Sequence, residues 1–139
     1  GGSMSAVSEG AHSKKGKIIG VIPDAVVRMH RKNPLCTELL FCETMDERKR
    51  QMKLLADVFI ILPGSYGTLD EYFDVLASGI VGEHNKPCIV INQEGFYNTL
   101  FSLTTEFKEK GFIPVAHQNY EALVVNNVEM CAEILQRYV

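Results

Sequence analysis

Residues 57–71 read Asp-Val-Phe-Ile-Ile-Leu-Pro-Gly-Ser-Tyr-Gly-Thr-Leu-Asp-Glu. A short apolar run ends in a Pro63-Gly64 turn, passes a second glycine at Gly67, and opens a helix through Thr68 and Glu71. A strand feeding a glycine-containing loop and then a helix N-terminus is how α/β proteins build anion sites. At Gly64 and Gly67 no side chain keeps a ligand from the backbone. The N–H groups of the first helical turn then face whatever sits there, and a phosphate is the natural guest.

The rest of the chain repeats this strand–helix alternation. Runs rich in Ile, Val, Leu and Phe predict strands at about 17–22, 39–43, 58–62, 88–92 and 121–125. Helices fit near 4–14, 45–56, 68–81, 95–110 and 127–138. Apolar runs without strict alternation imply strands covered on both faces, hence a parallel sheet. The expected fold is a Rossmann-like three-layer α/β sandwich with a mostly parallel, doubly wound sheet, one domain over residues 1–139. Residues 23–38, with Pro23, Pro34 and many charges, read as a long surface connection that could hold a short helix. Ligands of such folds bind beyond the carboxyl ends of the strands. Three segments fall there: 43–49, 64–68 and 92–95.

Composition narrows the partners. A 139-residue chain with 46% hydrophobic content can bury a core, and a net charge of −3 argues against a general nucleic-acid or membrane-surface binder. The one basic cluster, Lys14, Lys15 and Lys17, sits where a helix should end and suits that end of its dipole. Cys36, Cys42, Cys88 and Cys131 form no CxxC pair. Cys42 and Cys88 lie in apolar runs as small hydrophobes, and a reduced cytoplasmic protein is expected. No apolar run approaches the ~20 residues a membrane span needs. The start, Gly1-Gly2-Ser3-Met4, does not read as a signal peptide.

Two helix openings carry candidate chemistry. Thr44-Met45-Asp46-Glu47 is a capping-box pattern with Thr44 as N-cap. Met45, Arg48, Lys49, Met52, Leu55 and Ala56 then share one stripe, which puts Arg48 on the inward face near the strand ends. There it either snorkels or pairs with a carboxylate, or presents its fork to a phosphate, carboxylate or base. Thr68-Leu69-Asp70-Glu71 is a second capping box. Leu69, Phe73, Leu76 and Ile80 make its buried stripe, while Asp70, Glu71, Asp74 and Ser78 face away. Spacing alone favours Glu71 as a cap at the rim of the anion site over a catalytic role. His12, His30, His84 and His117 show no metal-ligand spacing. GxxxxGK[ST], GxGxxG and GxSxG are all missing, so a P-loop, ordinary dinucleotide binding and a nucleophile elbow are disfavoured.

Met45-Asp46-Glu47-Arg48-Lys49, followed by Pro63-Gly64-Ser65-Tyr66-Gly67-Thr68-Leu69-Asp70-Glu71, resembles the LONELY GUY family of cytokinin riboside 5′-monophosphate phosphoribohydrolases, often labelled lysine decarboxylase-like. The family pattern is M-x-x-R-K and, about one strand later, P-G-G-x-G-T-x-x-E. Further similarity runs through Lys17–Pro23, His84–Pro87, Gly95–Tyr97 and Gly111–Ile113. The resemblance implies a homodimer that takes a nucleoside monophosphate of adenine or N6-modified type and hydrolyses its N-glycosidic bond without a cofactor or metal. Arg48 and Glu71 match the catalytic pair. Gly64, Gly67 and Thr68 match the phosphate loop, with Ser65, Tyr66, Lys49 and Met45 completing the nucleotide site. The same resemblance allows a non-catalytic nucleotide-binding or scaffold protein. A pyridoxal-phosphate decarboxylase fits poorly, because the chain is small for that chemistry and no lysine has a recognisable Schiff-base context.

Two departures from the family pattern stand out. Ser65 replaces its second glycine, which at a position needing φ > 0 would cost on the order of 1 kcal/mol. The family also begins with a strand, a helix and a further strand, so this chain starts as if cut within the turn that follows them.

Overall fold

Short apolar runs become parallel strands here, and the longer segments between them become the helices that cover the sheets. The computed structural model describes residues 2–25 and 33–138. It divides into two compact units, Gly1–Ala56 and Asp57–Val139.

The first unit holds α1 (Gly2–Ser13), β1 (Ile19–Pro23), β2 (Glu38–Cys42) and α2 (Met45–Leu55). β1 and β2 run parallel, with Ile19 opposite Glu38 and Pro23 opposite Cys42. α1 ends where the lysines begin. Lys15 takes a left-handed φ of 58°, and the Gly16 N–H returns to the Ala11 carbonyl at 2.8 Å, closing the last turn. Lys17 pairs with Glu38 across the start of the two strands at 2.6 Å. Thr37 joins the same ends, its hydroxyl accepting from the Ile18 N–H and donating to the Ile18 carbonyl, both at 2.9 Å. The expected connection over 23–38 includes residues 26–32, which lie outside the described residues.

The second unit holds β3 (Phe59–Ile61), α3 (Tyr66–Ile80), β4 (Cys88–Ile91), α4 (Asn98–Glu109), β5 (Leu123–Val125) and α5 (Val128–Leu135). Its described strands run parallel in the order β3-β4-β5, with Ile60 opposite Ile89 and Val90 opposite Val124. β4 is buried along its whole length and alternates between two cores. Cys88 and Val90 face Tyr72 and Val75 of α3 and the nearby Tyr97, while Ile89 and Ile91 face Val125 and Cys131 of α5. Burying Ile89 and Val90 contributes about 1.5–3 kcal/mol each. The sheet is therefore covered on both faces, the three-layer α/β arrangement that unbroken apolar strands imply.

Two helix faces differ from expectation. α3 buries Tyr72, Val75, Ser78 and Gly79, whereas Phe73 is 39% exposed. Leu69 and Leu76 of the expected stripe do pack half-buried against this core, but Phe73 leaves it, and the inward face extends onto Ser78 and Gly79, which were expected outside it. Small residues explain the extension. A Cβ at Gly79 would lie 2.6 Å from the Tyr120 ring, so the ring occupies the side-chain space that glycine leaves. The Ser78 hydroxyl donates to the Asp74 carbonyl at 2.6 Å and is buried without loss of a partner. On α2 the residues are all half-buried or exposed, Met45 and Leu55 among the exposed ones, so its predicted stripe is not a buried face. The helix is short of apolar residues, and it packs on β1 and β2 through half-buried side chains.

Candidate functional site

β3 ends at Ile61, and after four intervening residues α3 begins at Tyr66. Ser65 is the N-cap, and its carbonyl accepts the first intrahelical bond from the Leu69 N–H at 3.0 Å. The expected capping box at Thr68–Glu71 is therefore overturned. Thr68 is already the third residue of the helix, and its N–H cannot be the site of a reciprocal cap. The Thr68 side chain turns back over Gly64 instead: a Cβ at Gly64 would lie 2.1 Å from Thr68 Oγ1. Glycine is needed here so that loop and helix can close on each other.

Gly67 is glycine for a different reason. Among the described residues nothing lies within 4 Å of the point where its Cβ would be. Glu71 is four residues on, so the two share a face. Helical side chains lean toward the N-terminus, which sets the half-buried Glu71 over the turn that contains Gly67. The residues of that first turn include no acid, so no side chain of its own answers the positive end of the helix dipole. Tyr66, 92% exposed, flanks the opening.

Ser65 resolves the question raised by the family's second glycine. Its φ is −116°, outside the left-handed region, so its Cβ carries no left-handed strain. Among the described residues its hydroxyl makes no capping bond.

A buried tyrosine underpins this loop. Tyr97, 3% exposed, donates its hydroxyl to the Leu62 carbonyl at 2.5 Å. Burial pushes its phenol up, and the Gly64 backbone N–H, directed at its oxygen, pulls it part of the way back. The Tyr97 N–H donates to Asn92 Oδ1 at 2.7 Å, and the Asn92 N–H donates to the Val125 carbonyl at 2.8 Å. Sequence reasoning noticed Gly95–Tyr97 only as part of a resemblance. The one local signal was a tyrosine just beyond an apolar strand, and nothing there points to Leu62, 35 residues away.

Met45, Arg48 and Lys49 belong to the other unit, on the first turns of α2. Thr44 is the N-cap as expected and accepts from the Glu47 N–H at 3.1 Å. The return bond is displaced by one residue: Glu47 Oε2 accepts from the Glu43 N–H at 2.8 Å. Asp46 and Glu47 in the first turn suit the positive end of this helix. Arg48 is half-buried with its Nε shielded from solvent. It lies close enough to Cys42, the last residue of β2, to oppose the rise that burial and then Glu47 impose on that thiol. Lys49 approaches Asp46 at 3.6 Å with its side chain largely covered, and Met45 is exposed.

Other candidates are structural. His84 Nδ1 accepts from the Lys86 N–H at 3.1 Å, so Nε2 carries the proton and donates to the Val75 carbonyl at 2.9 Å. Both ring nitrogens are thereby committed to backbone. Among the described residues no group of three or more His, Cys, Asp or Glu is placed to hold a metal, and no helix is long and apolar enough to cross a membrane. A cleft of about 210 Å³ beside α3 and α4, with Tyr72, Phe101, Ile113 and Tyr120 on its walls, includes none of the predicted site residues.

Comparison with known proteins bears on the whole chain. A family profile described as "Possible lysine decarboxylase" matches residues 4–135. A protein of Oryza sativa subsp. japonica named "Probable cytokinin riboside 5′-monophosphate phosphoribohydrolase" is 37% identical over 136 residues, 98% of this chain and 59% of that protein. A cytokinin riboside 5′-monophosphate phosphoribohydrolase of Arabidopsis thaliana is 32% identical over 133 residues, 96% of this chain and 58% of its own length. One from Mycobacterium tuberculosis is 35% identical over 128 residues, 91% of this chain and 67% of its own. The chain thus spans a little over half the length of these plant relatives and about two thirds of the bacterial one. With the profile covering nearly all of it, the chain belongs to the lysine decarboxylase-like family that includes the LONELY GUY phosphoribohydrolases.

Proposed function

We propose that this protein is a nucleoside 5′-monophosphate phosphoribohydrolase, acting on AMP or on N6-modified, cytokinin-type nucleotides. The observation that carries the reading is the start of α3, where a first turn without acidic residues and the open face of Gly67 are followed, one turn on along the same helix face, by the half-buried Glu71. Amides of Tyr66, Gly67 and Thr68 suit a phosphate, since the first N–H groups of a helix have no intrahelical acceptor. The names of the relatives support the same substrate class.

In this reading the C1′–N bond breaks with its electron pair going to the base, which takes up a proton. Water adds to C1′ and gives a proton to the Glu71 carboxylate, which stabilises the oxocarbenium-like sugar and then passes that proton to solvent. The base takes its proton from solvent, so that the net change is addition of one water across the C1′–N bond. Arg48 serves the same nucleotide, holding its ribose or phosphate and steadying the departing base. Lys49 and Met45 complete the nucleotide site. The active species is a homodimer, and the protein works in the cytoplasm.

The test is to incubate the protein with AMP and with N6-isopentenyl-AMP and to follow free base and ribose 5-phosphate by chromatography. Base release that falls about 10²–10⁴-fold in Glu71→Gln and sharply in Arg48→Ala supports the reading. No release by the folded protein, with Glu71→Gln indistinguishable from it, defeats the reading. Saturable AMP binding without turnover identifies a non-catalytic member.

A further inference from the structure

We propose that the Tyr97 hydroxyl is a positioning group for the phosphate site, holding the β3–α3 loop in its binding shape through the Leu62 carbonyl. This rests on the reading of that loop as a phosphate cradle.

The bond lies in a relay along the carboxyl edge of the sheet. The Val125 carbonyl, at the end of β5, accepts from the Asn92 N–H at 2.8 Å. Asn92, which follows β4 and is only 9% exposed, accepts from the Tyr97 N–H through Oδ1 at 2.7 Å. Its Nδ2 donates to Asn98 Oδ1 at 2.8 Å, so the side-chain amide is held at both ends. Tyr97 then reaches across to Leu62, which follows β3, at 2.5 Å. Three strand ends that carry the loops of one edge are thus tied by one asparagine and one tyrosine.

The backbone approaching Tyr97 is shaped for that arrangement. Glu94 and Gly95 take left-handed φ values of 54° and 69°, and a Cβ at Gly95 would lie 2.5 Å from Asn98 Nδ2. Phe96 meets the Tyr97 ring edge-on at 4.8 Å, and Phe101 lies beyond it at 6.1 Å, fixing the direction of the hydroxyl.

The tie also bears on the amides of the loop. The Gly64 N–H is directed toward the Tyr97 oxygen. The amides of Tyr66, Gly67 and Thr68, which open α3, stand beside the open face of Gly67. Tyr97 never touches the substrate. It fixes where the loop that leads to those amides stands.

Tyr97→Phe keeps the buried ring and removes the hydroxyl, and its effect should follow the phosphate. Calorimetric titration of wild type and variant with ribose 5-phosphate and with adenine, together with hydrogen exchange of amides 64–68, provides the test. The expected result is about a tenfold loss of ribose 5-phosphate affinity with adenine affinity unchanged, a rise in KM for AMP rather than a fall in kcat, and faster exchange confined to 64–68. Equal ribose 5-phosphate affinity in the two proteins overturns the role of Tyr97 alone. So does faster exchange spread evenly through the second unit, which would make Tyr97 an ordinary core residue. A wild type that binds neither AMP nor ribose 5-phosphate overturns the nucleotide reading itself, and the role of Tyr97 with it.

Discussion

Thr68 and Gly64 pack so closely that a Cβ on the glycine would lie 2.1 Å from the threonine hydroxyl and 2.8 Å from its Cβ. The two glycines of the loop therefore respond oppositely to the same change. Gly64→Ala must push Thr68 and the start of α3 aside, with an expected loss of about 1–3 kcal/mol of stability and of AMP binding together. Gly67→Ala puts a methyl into open space within the helix, where alanine is favoured by about 0.5–1 kcal/mol. It should raise Tm slightly yet weaken AMP binding, because the methyl stands where the ligand approaches. Thermal melts beside AMP titrations of the two variants check the contrast; equal behaviour would show that the open face of Gly67 is not a binding face.

Ser65 supplies a complementary expectation. With φ at −116° and no capping bond among the described residues, it gains nothing from glycine's freedom. Ser65→Gly should leave AMP turnover within about twofold and lower stability by a few tenths of a kcal/mol, as for an N-cap serine replaced by glycine. A large gain in activity would mean that the family's glycine has a role that this backbone does not reveal.

Local patterns carried the reading of the fold, and distant ones escaped it. The five apolar runs at 17–22, 39–43, 58–62, 88–92 and 121–125 all became strands, because an apolar run bounded by turn residues identifies a buried strand from local sequence. The loop at 63–68 was legible for the same reason, since glycines, strand end and helix start are neighbours in the chain. The face of α3 was legible only in part, through Leu69 and Leu76. A hydropathy wheel scores Ser78 and Gly79 as outward, although their smallness is what admits the Tyr120 ring. Tyr97 escaped as well, since its partner Leu62 is set by the pairing of β3 with β4, not by spacing.

His84 makes a prediction through its two backbone partners. Its two nitrogens tie the Val75 carbonyl of α3 to the Lys86 N–H just before β4, and its ring lies edge-on to Phe59 and Tyr120 at 5.5 and 5.2 Å. His84→Ala should cost about 1–3 kcal/mol by stranding two backbone groups. Urea denaturation measures the loss. Base release per folded molecule should be unchanged, and a selective loss of turnover would place His84 in the chemistry instead.

The second unit should weaken in alkali through one connected set of groups. Burial raises the Cys88 thiol to about 12, and burial followed by Cys88 raises Tyr72 and Tyr120 each to about 12. These folded-state values lie above the reference values of 9.0 for the thiol and 10.0 for the phenols. Between the two limits the unfolded chain has released protons that the folded chain still holds. Stability is thus fully present below about pH 9 and is lost progressively as the pH climbs toward 12. Cys88 is the hub, because its thiolate would face both phenolates across a packed core. Cys88→Ala removes one titrating group and relieves the other two, so its Tm should fall less steeply with pH than that of wild type, even from a lower starting value. At pH 8 the half-buried Cys36 should react with iodoacetamide well before Cys42, Cys88 and Cys131, whose thiols burial both shields and keeps protonated. Parallel alkaline slopes in the two proteins, or early alkylation of Cys88, would show that this core opens readily and that burial does not set its titration.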